Sequence, residues 1–323
     1  MGEEKDVAGK TIVVVGASSG FGRGAAERLG ELGANVVVAA RRGAVLDEVV
    51  AHIAAAGSAA LAVETDVSDP LAVQRLADAA VERFGRIDVW VNNVGIGALG
   101  IFWDVPIADH ARVIDVNVKG LMYGAHAALR QFRAQGEGTL INIGSVESEV
   151  PLAYQTSYAA SKAAVLSMSR SLNEELRIVG ESDRIKVGTI MPWAVDTPWW
   201  VHAANYTGRT PRMAALDDPQ VVVDAIVSAC VDPKEEQPVG GKARGTNLAH
   251  RLFPDLTERV SAKIAEAESA RGTPVAHTTG AIYEPIVAGT TVSGTVRERM
   301  EREDEARHGR EEDARHHRKS ARH

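Results

Sequence analysis

The sequence predicts an α/β fold built on a doubly wound parallel sheet. Short β-branched runs without charge recur through the first 240 residues, and each is followed by a stretch whose apolar residues return at helical spacing. The first of these junctions is a glycine-rich turn. Continuous apolar runs, rather than alternating ones, are what a strand buried on both faces requires, and strand–helix alternation supplies helices for both faces. With 323 residues and 45% hydrophobic content, the chain suits one large domain with extensions.

The balance of charges narrows the function classes. A formal net charge of −7 argues against a nucleic-acid partner, because tracking phosphates needs an excess of Lys and Arg. Cys230 is the only cysteine, which excludes an internal disulfide framework and makes a reducing, cytoplasmic compartment the simplest expectation. The opening M-G-E-E-K-D lacks the apolar core of a signal peptide, and Asp6 stands where a myristoylation signal needs Ser or Thr. No run is long enough to span a bilayer.

Residues 11–15 read as the first strand, and G-A-S-S-G-F-G follows at once, with Gly16, Gly20 and Gly22 before a helical pattern reaching Leu32. A strand, a tight glycine turn and a helix N-terminus form an anion site, since backbone N–H groups and the helix dipole converge where a pyrophosphate can approach. The second strand, 35–39, ends in Ala40-Arg41-Arg42. An acidic residue there suits the ribose 2′-hydroxyl of NAD and an arginine suits the 2′-phosphate of NADP, so this ending favours NADP(H) over NAD(H). The other reading is that two arginines begin a solvated loop.

A helix over 44–56, a strand over 61–65 and a helix over 70–84, opened by Pro70 at its first position, continue the pattern. Asp66 either lies along an adenine or caps a turn. A strand over 89–91 closes in Asn92-Asn93-Val94-Gly95, a loop follows over 97–103, and one long helix is expected over 109–135. Asn117 interrupts that apolar helix, as either a satisfied structural amide or a member of a wet polar network.

Ser145 falls at the carboxyl end of a strand over 139–143, just before a helix over 163–179. Tyr158 and Lys162, four residues apart, share one helix face. A free phenol titrates near ~10, and a fixed ammonium beside it favours the phenolate, so Tyr158 could exchange a proton with an alcohol or carbonyl oxygen that Ser145 also touches. Taken alone, the pair could equally be ordinary helix neighbours.

A sixth strand over 185–190 leads into P-W-A-V-D-T-P-W-W at 192–200. Residues 199–210 read as a loop covering a substrate, or Trp199 and Trp200 simply pack that loop onto the core. A helix over 219–231 and an edge strand over 237–239 end the domain, which runs from 10 to 240 after a short lead over 1–9. Residues 241–295 form an extension with an amphipathic helix over 248–270, in which Pro254 takes the first helical position. Residues 296–323 interleave both charges and cannot bury a core, so a disordered or solvated helical tail is expected, with no metal role for its histidines.

From about Lys10 to Val239 the chain resembles the classical short-chain dehydrogenase/reductase family, with its Rossmann-like three-layer α/β/α fold. The resemblance rests on the Gly16-Gly20-Gly22 turn, Asn92-Asn93-Val94-Gly95, Asn117, Ser145 and Tyr158-x-x-x-Lys162, in the family's order. The extended branch, which includes sugar epimerases, spaces its glycines as G-x-x-G-x-x-G. The resemblance implies hydride exchange between NADP(H) and a secondary alcohol or ketone, a small-molecule substrate without a metal. Tyr158 would be the proton carrier, Ser145 would orient the substrate oxygen, Lys162 would lower the tyrosine pKa and hold the ribose, and Asn117 would anchor a water. The implied cofactor contacts are Gly16, Ser18, Ser19, Gly20, Phe21, Gly22, Arg41, Arg42, Asp66, Val67, Asn92, Gly95, Tyr158, Lys162, Pro192, Val195 and Thr197. A homodimer or homotetramer through the helices at 109–135 and 158–179 is implied as well.

Two positions depart from the family pattern: Val94 replaces an alanine and Trp193 replaces a glycine, which bears on the pocket's shape. Few charges lie between Pro192 and Tyr206, which favours an apolar or aromatic ketone. A different class of function, an NADPH-binding regulatory or scaffold protein without turnover, would not need Asn117, Ser145, Tyr158 and Lys162 together.

Overall fold

The computed structural model describes residues 6–320. Strands β1 (Thr11–Val15), β2 (Asn35–Ala40), β3 (Ala60–Glu64) and β4 (Val89–Asn92) alternate with helices α1 (Gly20–Glu31), α2 (Gly43–Ala55) and α3 (Pro70–Phe84). After the short β5 (Ala98–Leu99) come α4 (Ile107–Ile114), α5 (Leu121–Gln135), β6 (Gly138–Ile143), α6 (Thr156–Ile178) and β7 (Ile185–Pro192). Helix α7 (Trp199–His202), β8 (Ala204–Asn205), α8 (Pro219–Ala229) and β9 (Glu236–Val239) complete the sheet region. The main sheet has the order β3-β2-β1-β4-β6-β7-β9 and is parallel throughout, while β5 and β8 pair separately.

Successive strand residues serve opposite layers, which explains the uniform apolarity of the runs. Val14 and Val38 pack with Leu29, Leu46, Ile53 and Ile226 of α1, α2 and α8. Val13 and Val37 pack on the other face with Leu76, Trp90, Val113, Phe132 and Leu140. Burying each such side chain contributes ~1.5–3 kcal/mol, which favours apolar residues on both faces. Parallel pairing puts every strand's carboxyl end on one edge. The strand order reverses between β1 and β4, which opens a crevice on that edge.

Helix α3 starts as its sequence predicts, with Pro70 at the first turn and Asp69 accepting the Leu71 N–H at 2.9 Å. The single helix expected over 109–135 is divided: α4 passes through a π-helical turn at Asp115–Gly120 before α5 begins. Such a turn holds an extra residue, which hydrophobic periodicity does not register. The helix expected over 248–270 is likewise two, α9 (Gly240–Leu252) and α10 (Pro254–Arg271), broken at Phe253.

The C-terminal region departs most from expectation. Residues 272–295 run back as an irregular strap over the carboxyl edge of the sheet. Helix α11 (Val296–Ser320) follows, and its first turns pack. Val296 is buried and its N–H donates to Asp196 Oδ1 at 2.8 Å. The Arg212 side chain, 1% exposed, pairs with Glu303 at 2.7 Å and Asp304 at 2.9 Å. A sequence with almost no apolar residues can therefore dock through ion pairs, which a composition argument overlooks. Among the described residues, no helix is long and apolar enough to cross a membrane.

Candidate active site

The crevice between β1 and β4 is a cleft of about 950 Å³ lined by Gly16, Ser18, Ser19, Gly20, Phe21, Arg41, Arg42, Asp66, Val67, Gly95 and Thr197. Gly22 shapes it from behind. A Cβ there would lie 2.1 Å from Asn93 Nδ2 and 2.3 Å from the Gly16 carbonyl oxygen, so only glycine lets α1 abut the turn. Asn93 donates to that same carbonyl at 3.1 Å and ties the turn to the end of β4.

Asn92, grouped by resemblance with the cofactor contacts, does not line the cleft. It is buried in the core and donates to Asn142 Oδ1 at 3.0 Å and to the Leu121 carbonyl at 3.2 Å. Strand alternation turns residue 92 inward and leaves its neighbour Asn93 lining the cleft. Asp66 does line the cleft while forming a local turn, accepting from the Ser68 N–H at 2.9 Å and hydroxyl at 2.7 Å. Burial pushes its carboxyl up, but the Ser68 donors and the nearby Arg112 outweigh this and hold it below the ordinary range. Arg112, on α4, also lines the cleft and was not singled out in the sequence, where it sits unmarked in a helical pattern.

The two arginines after β2 neither lie in a solvated loop nor stand free. Arg41 donates to the carbonyls of Tyr283 at 2.5 Å and Ala281 at 2.6 Å. Arg42 donates to the Ser18 hydroxyl at 3.0 Å and reaches the carbonyls of Ile286, Ala288 and Gly289. Farther along, the Arg23 guanidinium meets the Thr290 carbonyl at 2.9 Å, and the Gly294 N–H donates to the Asp196 carbonyl at 3.0 Å. The strap thus crosses the mouth of the cleft from the end of β2 to the segment after β7.

A second cavity, about 700 Å³, adjoins the first and shares Asn93, Gly95, Thr197 and Trp199 with it. Ser145, Tyr158 and Lys162 meet on its wall, together with Pro192, Val195 and three tryptophans. Ser145 caps the short 3-10 turn Val146–Ser148, accepting the Glu147 N–H at 3.1 Å. Lys162 Nζ donates to the Ile143 carbonyl at 2.8 Å and lies 5.6 Å from the centroid of the Tyr158 ring. Asn117 is fully buried in the π turn: it accepts the Ile96 N–H at 2.8 Å and donates to the Ile96 carbonyl at 2.8 Å and Ser161 Oγ at 3.0 Å. These bonds tie the loop after β4 to α6.

Burial dominates the electrostatics of the cluster. Burial pushes the Tyr158 phenol up, Glu147 adds to this, and the neighbouring Ser145 side chain opposes it. Lys162 is itself pushed down, to about 8, by burial, with Glu147 partly restoring it. Glu147, buried, is driven well above the carboxylate range despite Lys162. The sequence reading passed over Glu147, whose signal is an acid two residues beyond Ser145.

The two tryptophans of this segment are placed differently. Trp200 packs, with its Nε1 donating to the Val195 carbonyl at 2.9 Å. Trp199 lines both cavities, 5.1 Å from the Tyr158 ring, and fits because Gly97 has no Cβ; one there would lie 2.4 Å from the indole.

Comparison with known proteins agrees with this geometry. Residues 10–205 match the family model described as short chain dehydrogenase. The chain is 35% identical over 263 residues to the Bacillus subtilis protein called uncharacterized oxidoreductase YxnA, covering 80% of this chain and 73% of that one. It is 41% identical over 213 residues to 3beta-hydroxysteroid dehydrogenase 1 of Eggerthella lenta, covering 65% of this chain and 78% of that one. A short chain dehydrogenase/reductase from Burkholderia phymatum, solved in complex with NAD, superposes with a TM-score of 0.69 at 28% identity, covering 78% of this chain and 96% of its own. Sheet order, glycine turn and the Ser145, Tyr158 and Lys162 cluster thus coincide with a match over most of the sheet domain, and the chain belongs to the short-chain dehydrogenase/reductase family of oxidoreductases.

Proposed function

We propose that the protein is an NADP(H)-dependent oxidoreductase that interconverts a secondary alcohol and a ketone, with Tyr158 as general acid and base. The observation that carries this reading is the meeting of Ser145, Tyr158 and Lys162 on the wall of a cavity that adjoins the glycine-turn cleft and shares residues with it. The cleft fits the cofactor: the glycine turn admits a close backbone approach, and cationic side chains stand at the end of β2. A nicotinamide coenzyme, when bound, supplies or accepts the hydride.

The chain's own groups do the rest. Tyr158 passes a proton to the carbonyl oxygen, or removes it from the alcohol, and Ser145 holds the same oxygen. The Lys162 ammonium stabilises the phenolate as it forms, against the burial that disfavours it. Asn117 positions the loop at Ile96 and, through Ser161, helix α6.

NADP(H) is favoured because Ala40 offers no carboxylate to a ribose diol, and Arg41 has five N–H donors, of which the strap uses two. The Burkholderia relative binds NAD, so this choice rests on residues 40–42 of this chain. Assembly as a homodimer or homotetramer through α5 and α6, in the cytoplasm, belongs to the same reading. The test is coenzyme oxidation against a panel of ketones, with Tyr158→Phe in parallel. Turnover in the wild type that falls at least ~100-fold in the variant, with coenzyme affinity retained, supports the reading; residual activity within tenfold overturns the role of Tyr158.

A further inference from the structure

The second cavity is lined by one carboxyl, which proton and hydride exchange leave unused. Glu147 lines it and is 6% exposed, and its Oε2 has no hydrogen-bond partner among the described residues. The surrounding wall is largely apolar, with Leu152, Trp193, Trp199 and Met213. Burying a carboxyl oxygen unpaired in such surroundings is costly, and a pocket for a purely apolar ketone would be better lined there by an aliphatic side chain. A buried polar atom without an internal partner calls for one from outside. Glu147 lines the same cavity as Ser145, Tyr158 and Lys162, two residues beyond Ser145 in the chain, so a group it holds shares the cavity with the reacting carbon.

We infer that Glu147 determines specificity by accepting a hydrogen bond from a hydroxyl adjacent to the reacting carbon, so that the substrates are α-hydroxy ketones in one direction and vicinal diols in the other. This rests on the oxidoreductase reading and departs from the apolar ketone that the composition of 192–206 favours. A substrate ammonium would supply the same donor, but it would be drawn next to the Lys162 ammonium and repelled by it. The indole faces of Trp193 and Trp199 are left for the carbon skeleton.

Matched probes test this: cyclohexanone against 2-hydroxycyclohexanone, and cyclohexanol against trans-1,2-cyclohexanediol. A site built to accept a hydroxyl rejects the analogue lacking it, so wild type should favour each hydroxylated probe at least about tenfold in kcat/KM. In Glu147→Leu that preference should fall below about twofold, through a rise in KM for the hydroxylated probe, with Glu147→Gln intermediate. Equal kcat/KM in the wild type overturns the proposal. So does an equal loss on both members of a pair in Glu147→Leu, which would make Glu147 a partner of Lys162 alone. Tryptophan fluorescence reads binding without turnover: the diol should bind at least about tenfold more tightly than cyclohexanol to wild type, and equally to Glu147→Leu. Selective diol binding without turnover of any probe would remove the oxidoreductase reading and keep the hydroxyl subsite. Turnover of both ketones alike would do the reverse, and neither selective binding nor turnover would overturn both.

Discussion

The Gly20 N–H donates to the carbonyl of Thr291 at 2.9 Å, joining the glycine turn of the first strand–helix junction to a residue near the end of the chain. Around this bond, Arg23, Arg41 and Arg42 hold the carbonyls of residues 281–290, and Asp196 holds the backbone at 294 and 296. The cleft and the C-terminal strap therefore form one structure, although the match to the family model ends at residue 205.

Removing residues 272–323 should for this reason destabilise the domain. The packing that Ile282 and Val296 supply is removed, and of its three carboxylate partners Arg212 keeps only Glu268, at 3.4 Å. Breaking buried ion pairs costs ~3–5 kcal/mol, and each kcal/mol moves the melting temperature of a domain this size by ~2–4 °C. Calorimetry should show a drop of at least ~6 °C, with most of it reproduced by Glu303→Gln combined with Asp304→Asn. An unchanged melting temperature would mean that the strap and α11 only rest on the surface.

What the sequence revealed and what it hid follow one physical division. The strands, the glycine turn and the Tyr158-x-x-x-Lys162 pair were legible because each is local, written in periodicity or in spacing along one helix face. The contacts of Arg41 with Tyr283 and of Arg112 with Ile282 span 242 and 170 residues, and no local pattern encodes them. The π turn at Asn117 escaped because one extra residue barely disturbs helical periodicity. Glu147 escaped because burial, which gives it significance, is a property of the fold. Asn92 and Asn93 show the finer limit: the segment was recognised, but strand parity decides which of the two asparagines faces the cleft.

Lys162 should leave a signature in the pH dependence. Its folded-state pKa lies near 8, depressed by burial from 10.5. Between those values the unfolded chain binds the extra proton, so stability rises with pH across that window and the penalty for burying the charge is fully present below it. Lys162→Met should abolish that rise, measured as the melting temperature of both proteins from pH 7 to 10. Glu147 raises the Lys162 pKa against burial, so Glu147→Gln should move the inflection lower. Parallel slopes in wild type and Lys162→Met would show that another group titrates there.

Gly22→Ala should disturb the turn without touching any reacting group. The added Cβ would sit 2.3 Å from the Gly16 carbonyl oxygen, a backbone atom that cannot swing aside. Overpacking of this kind costs ~1–3 kcal/mol and displaces α1 from the turn, so coenzyme affinity should fall together with stability. Gly24→Ala is the comparison: there the near atoms belong to the side chains of Val223 and Val292, away from the cleft lining, and affinity should hold. Equal coenzyme affinity in Gly22→Ala and wild type would count against the turn as the phosphate cradle.

Coenzyme choice is the sharpest prediction, because two roles compete for the same arginine. A 2′-phosphate can take charge-assisted hydrogen bonds from Arg41 worth ~1.5–3 kcal/mol each, and Ala40 removes the carboxylate that would repel it. Wild type should therefore prefer NADPH to NADH at least about tenfold in kcat/KM, and Ala40→Asp with Arg41→Ala should reverse the preference. Arg41 also holds the carbonyls of Ala281 and Tyr283, so its loss should loosen the strap and lower the melting temperature whichever coenzyme is used. Ala40→Asp alone keeps those two bonds and separates the effects: the preference should shift toward NADH while the melting temperature changes little. Should wild type favour NADH, or the ratio stay fixed in both variants, Arg41 would be a fastening for the strap and the NADP assignment would fall.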